Sequence, residues 1–182
     1  MTQTGFDPAG FYQFDLSEGT VQTRAGSRVL MLSSSALTPL VGAAVEHGDL
    51  TPVRKMGKEL GDHAASNLGR SPADLAPEEV LGHVAGVVAL FGWGRLRMER
   101  WGDAVVVRLD GAPSIDERRL GVAALLGGVF SSLAGQEVAC VPADEDRFVL
   151  VDPSVAEKVW GWTRAGDDLP RLVGRLAAQE AS

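Results

Sequence analysis

"LGVAALLGGVFSSLAGQEVACVPADEDRFVL", residues Leu120 to Leu150, carries two signals whose combination sets the fold class. Its first half is an apolar run with helical spacing. Val122, Leu125, Val129 and Leu133 form a bulky stripe, with Leu126 and Phe130 beside it. Gly121, Ala124, Gly128, Ser131 and Gly135 fall on a different stripe, and all of them are small. A glycine inside a helix costs about 1 kcal/mol against alanine. The bare stripe therefore implies that a sheet, another helix or a ligand comes close to the backbone. The second half alternates as strands: "QEVACV" and "RFVLVD" read as a hairpin about Pro142-Ala143-Asp144-Glu145.

The same logic extends upstream. "GWGRLRMERWGDAVVVRLDGAP" reads as two antiparallel strands turning at Gly102-Asp103. Leu96, Met98 and Arg100 lie on its expected core face, and Arg95, Arg97 and Glu99 on the other. Ser114 and Glu117 have the S-x-x-E spacing of a capping box for the long helix. Three helices precede the strands. "ALTPLVGAAVEHG" is expected to be capped by Ser34 or Ser35, with Pro39 in its opening turn and Leu37, Leu40, Val41, Ala44 and Val45 as its stripe. Thr51-Pro52 starts the second, through Val53, Met56, Leu60, Ala64 and Leu68. Its Gly57 and Gly61 sit beside the stripe and predict another close approach. Pro77-Glu78-Glu79 starts the third, with Val80, Leu81, Val84, Val87, Val88 and Phe91.

At the front, "FYQFDLSEGTVQT" alternates about Ser17-Glu18-Gly19 as a hairpin or arm, and "SRVLML" reads as a short strand. At the back, Asp152-Pro153 opens a tail, and Asp168 caps a helix through Leu169, Leu172, Val173 and Leu176. The order is strand-rich arm, three helices, two strands, long helix, hairpin and tail. That is α+β, an antiparallel sheet against a layer of helices, and not the alternation of a parallel sheet. The expected division is residues 1–152 as one domain with an N-terminal arm, and 153–182 as a helical tail packed on it.

Composition narrows the function. The chain has 182 residues, a net charge of −7 and a single cysteine, Cys140. That charge argues against a nucleic-acid surface, and one cysteine excludes an internal disulfide and multi-cysteine zinc sites. "MTQTGFDPAG" is not a signal peptide, and the two longest uncharged runs are too short for a bilayer, so the expected residence is cytoplasmic with no membrane span. No nucleophile elbow, P-loop or dinucleotide fingerprint occurs. His47, His63 and His83 fall on three separate helices without ligand spacing. Cys140 reads as a buried, inert thiol. Asp144, Glu145 and Asp146 read as a solvated turn or an acidic cluster, and Arg95, Arg97 and Arg100 as a mild basic stripe. Trp93, Trp101, Trp160 and Trp162 read as packing or subunit contacts, or as pocket walls.

The strand pair, the segment "GVAALLGGVFSSLAGQEVACV" and the closing "RFVL" resemble the vinyl-4-reductase (hydrocarbon-binding) domain family, itself related in fold to TRAPP-complex subunits and to a haem-dependent NO-sensing domain. "SEGTVQTRAGSRVLMLSSSAL" and "MGKELGDHAASNLG" extend the resemblance to roughly Ser17–Asp152. Cys140 stands at the first of two cysteine positions that many members carry. The second is Asp146 here, so a paired-cysteine or metal role does not follow. The resemblance implies a non-enzymatic homodimer that binds an apolar small molecule or acyl chain between helices and sheet, without cofactor or metal. Val87, Val88, Phe91, Trp93, Leu126, Val129 and Phe130 are the candidate lining. The same seven read equally well as filled core. The rival expectation is a TRAPP-like scaffold or adaptor that acts through contacts with a protein partner.

Overall fold

The computed structural model describes residues 8–66 and 68–180. Positions 1–7, residue 67 and residues 181–182 lie outside the described residues. A hairpin comes first, β1 (Tyr12–Asp15) with β2 (Thr20–Thr23). Helices α1 (Ser34–His47), α2 (Thr51–Ser66) and α3 (Pro77–Leu90) follow. Then come β3 (Arg95–Trp101), β4 (Ala104–Asp110), α4 (Leu120–Ala134), β5 (Ala139–Pro142) and β6 (Arg147–Val151). Helices α5 (Pro153–Arg164) and α6 (Leu169–Glu180) end the chain. The main sheet is antiparallel, in the order β3-β4-β6-β5.

The α+β architecture follows from the pleat. Successive side chains leave a strand on opposite faces, so neighbours in β4 and β6 serve two different cores. Val107, Leu109 and Phe148 join α1 to α4 in the larger apolar cluster. Val106 and Val149 join Val159 of α5 and Leu172 of α6 in a second one. The sheet is thus covered by helices on both faces. That is why β4 reads as the nearly unbroken apolar run "AVVV": Val106 and Val107 are both fully buried. Leu96 and Met98 lie on the larger core's side, as expected.

Several local expectations are corrected. "SRVLML" is not a strand. A single bridge, Gln22 to Arg28, with the Thr23 amide donating to the Ser27 carbonyl and the Val29 amide to the Val21 carbonyl, ties it to the hairpin. Beyond that it has no ladder to join, and Leu30, Met31 and Leu32 stand 77%, 60% and 59% exposed. The cap of α1 is Ser33, whose hydroxyl accepts from the Ala36 amide. Pro39 consequently falls inside the helix, not in its opening turn. Leu40 and Met56, placed on apolar stripes by their spacing, are exposed. Helix α2 begins at Thr51 itself, with the Asp49 carboxylate accepting the Thr51 amide at 3.0 Å.

The Ser114–Glu117 capping box does not form. Helix α4 starts only at Leu120, and the Asp116 carboxylate accepts the Leu120 and Gly121 amides at 2.7 and 2.9 Å. Arg119 is left-handed there (φ 58°), which turns the chain so that Asp116 reaches back under the helix end. Asp168 caps α6 as expected, accepting the Arg171 amide, and Asp152, read only as the start of the tail, caps α5 by accepting the Ser154 amide.

Candidate functional site

Packing of α2 on α4 builds the centre of the helical layer. A methyl group at Gly57 would stand 2.0 Å from the Leu125 carbonyl oxygen, and one at Gly128 would stand 2.1 Å from that of Arg54. Gly61 meets Val129 and Ser132, and Gly121 meets the Val41 side chain. Of the three partners the bare stripe admitted, a helix takes most of it. Two backbones approach where neither carries a Cβ.

A polar network closes the far end of this contact. The Arg54 guanidinium donates to Ser131 Oγ at 2.8 Å and to the Val138 carbonyl at 2.7 Å. Glu137 accepts from both Arg54 and Lys58. Ser131, itself buried, donates to the Gly127 carbonyl and accepts the Val138 amide at 2.9 Å. Gly127 is bare because a Cβ would stand 2.7 Å from the Arg54 side chain. Sequence reading missed Arg54 and Gly127, since their partners lie more than seventy residues apart.

The seven candidate lining residues come together in the larger cluster. Val87, Val88, Leu126 and Val129 are at most 1% exposed, Trp93 and Phe130 at most 7%, and Phe91 is half-buried. Val87 and Val88 come from the end of α3, Phe91 and Trp93 from the connection to β3, and the rest from α4. The arm adds residues the sequence did not single out. Phe91 lies edge-on to Phe11 at 6.2 Å and to Tyr12 at 5.8 Å, and stacks on His63 at 5.9 Å. Nothing local in "FYQF" says which surface receives Phe11. Burial raises the Tyr12 phenol above its ordinary range and lowers His83 on α3 below its own.

Two concavities lie elsewhere. A groove of about 1050 Å³ runs between the β3–β4 turn, the ends of β4 and β6, the loop before β5, and helices α5 and α6. A cleft of about 320 Å³ sits between the α1–α2 turn and α4, with Cys140 on its wall. Burial pushes the Cys140 thiol far up, so it carries no thiolate character. His47 hydrogen-bonds the Ala43 carbonyl on the helix surface. Among the described residues no group of three or more His, Cys, Asp or Glu could hold a metal ion.

The acidic turn and Arg97, one of the three arginines of the stripe, join one network with Arg108 and Arg147. Asp144 accepts the Asp146 and Arg147 amides, which shapes the turn. Asp146 and Asp110 flank Arg108 at 2.8 and 2.7 Å, Arg97 pairs with Asp110, and Arg147 donates to Glu99 at 3.0 Å. The Trp101 indole also donates to Glu99. These are ion pairs laid across β3, β4 and β6, not a basic surface. Trp162 carries Lys158 and Arg175 over its ring, and it joins Trp101 and Trp160 around the second core.

No family model matches the chain, and no curated protein matches it in sequence. A solved structure does match in shape: the phenol-responsive sensory domain of the transcription activator PoxR, crystallised with phenol. The likeness has a TM-score of 0.58 at 14% identity, and covers 77% of this chain and 84% of that one. Among the described residues no helix is long and apolar enough to cross a membrane. The chain thus shares the fold of that domain, and its larger apolar cluster lies between the main helical layer and the sheet.

Proposed function

We propose that this chain is a non-enzymatic module that binds an apolar small molecule or acyl chain between α3, α4 and the sheet. The observation that carries this reading is the likeness to a phenol-responsive sensory domain over most of both chains. The residues of the larger cluster support it. Every member is apolar, so a guest without charge loses no solvation partner there. Val87, Val88, Phe91, Trp93, Leu126, Val129 and Phe130 form the lining on this reading, with the Phe11–Tyr12–Phe91 edge as its outer wall. Membership of the vinyl-4-reductase (hydrocarbon-binding) family belongs to the same proposal and rests on the sequence segments quoted above.

The module acts as a homodimer on this reading, because its arm exposes Phe14, Leu16, Leu30, Met31 and Leu32. The same exposure favours a second reading, a scaffold that uses this patch on another protein and holds no ligand. Native mass spectrometry of the purified chain separates them, repeated after denaturing extraction. A stoichiometric apolar adduct, or a melting temperature raised by phenol or alkyl phenols and insensitive to them in Val129→Trp, supports ligand binding. A chain without adduct that none of these compounds stabilises supports the scaffold.

A further inference from the structure

Strand β3, "RLRMERW", lies at one edge of the main sheet and pairs on one side only. Its turn decides which backbone groups face outward. Gly102, at φ 61°, opens a two-residue turn that Trp101 and Ala104 flank as partners. Such a turn closes on a hydrogen-bonded pair, and bonded pairs then alternate along the hairpin. Leu109 agrees with this alternation: its amide turns away from its β3 partner Leu96 and donates to the Asp146 carbonyl at 2.8 Å. Leu96, Met98 and Arg100 therefore aim their amides and carbonyls at the free edge. Among the described residues no hydrogen bond from outside the sheet reaches those amides. Neither a proline nor a bulge interrupts the seven residues, and both are devices that blunt an edge.

The charges along the strand complement themselves in one register. Two copies of one edge meet antiparallel about a two-fold axis, with outward residues opposite outward residues. Among axes at the five central positions, one at Leu96 sets Arg95 against Arg97. Axes at Arg97, Glu99 and Arg100 each set that charged residue against itself. An axis at Met98 sets Arg97 against Glu99 and Arg95 against Trp101, each pair occurring twice, and it engages all seven residues. The Arg97 side chain is still 46% exposed beside Asp110, and that of Glu99 26% exposed beside Arg147, so each has a face left for a partner.

We infer that the β3 edge pairs with β3 of a second copy of this chain, two-fold about Met98, so that one sheet runs through both copies. The partner's Glu99 takes Arg97, and the partner's Trp101 offers its ring to Arg95. The contact is separate from the arm, whose hairpin forms a sheet of its own. Chains joined by the arm form tetramers through β3. A strand edge covers less than the roughly 800 Å² per partner of a standard interface, so pairing is expected well above micromolar concentration.

Met98→Cys tests the register in the concentrated full chain, oxidised with copper phenanthroline. Bonded partners stand about 5.5 Å apart at Cα, within the span of a disulfide, so a covalent dimer is expected on a non-reducing gel. Cys140 is buried and does not compete. Arg97→Cys, at the more exposed position, is expected to give about fivefold less product, because that residue and its counterpart are diagonal neighbours about 7–8 Å apart. Adding Arg97→Glu or Glu99→Arg to Met98→Cys should cut the yield about fivefold by setting like charges opposite. An equimolar mixture of those two chains should restore it, since every charged pair across the edge then has opposite signs. The restored mixture also separates a lost contact from a lost fold. No cross-link in Met98→Cys, an equal yield in Arg97→Cys, or a mixture that stays low would overturn the proposal.

Discussion

Two glycines of the same residue type behave oppositely, and the difference is a matter of what stands against them. Gly128 has the Arg54 carbonyl oxygen where its Cβ would be, and both atoms belong to helix backbones that cannot give independently. Gly128→Ala is therefore expected to destabilise the fold by about 3 kcal/mol, the upper range of overpacking. Gly174→Ala meets nothing and gains helix propensity, so it should stabilise by up to about 1 kcal/mol. Urea unfolding of the two variants measures both signs. The close approaches at Gly57, Gly61 and Gly128 were legible because glycine in a helix interior is costly enough to demand a reason. Arg54 was not legible: a surface-type residue on a polar helix becomes a hub only when the loop at Val138 folds onto it.

At the scale of the element, the long helix shows where spacing misleads. Ser114-x-x-Glu117 has the right pattern, but the chain turns left-handed at Arg119, and the donors of α4 face Asp116 instead. Asp116→Ala should cost about 1–2 kcal/mol, the range for losing a cap, whereas Ser114→Ala should stay within about 0.5 kcal/mol. Equal losses in thermal unfolding would restore the capping box. The hairpin of β3 and β4 was legible through its period of two, and its ionic face makes a pH prediction. The Arg147 hydrogen bonds, then the Trp101 indole, hold the Glu99 carboxyl below its ordinary value of 4.5. A depressed folded-state pKa contributes stability above the unfolded value and loses it as pH falls through the folded one. Glu99→Gln should thus cost about 1 kcal/mol at pH 7, and the gap from wild type should narrow as pH falls below the ordinary carboxyl value of 4.5. A gap that does not narrow on acidification would mean that the glutamine disturbs packing, not charge.

At the scale of the whole molecule, the sequence showed that α6 has an apolar face but not which surface it covers. The stripe of Leu169, Leu172 and Leu176 fits any flat apolar partner. Only the folded sheet offers Val106 and Val149 on the face opposite α4. The candidate lining was readable for a related reason: helix periodicity marks residues as inward-facing, but cannot distinguish a filled core from a guest site. The arm carries the opposite difficulty, since its apolar residues face outward. Leu30, Met31 and Leu32 follow the Gln22–Arg28 bridge without joining a ladder, and Phe14 and Leu16 lie on either side of Asp15 at the end of β1. A standard interface covers about 800 Å² per partner, and a patch of five largely exposed Phe, Leu and Met side chains supplies most of its apolar centre. We expect the wild-type chain to run as a dimer in light scattering at micromolar concentration. Leu30→Glu with Leu32→Glu should run as a folded monomer, because two carboxylates would be buried without partners at the interface. A wild-type monomer, or a double variant that still dimerises, would move the contact off the arm and leave its apolar tip to a different protein.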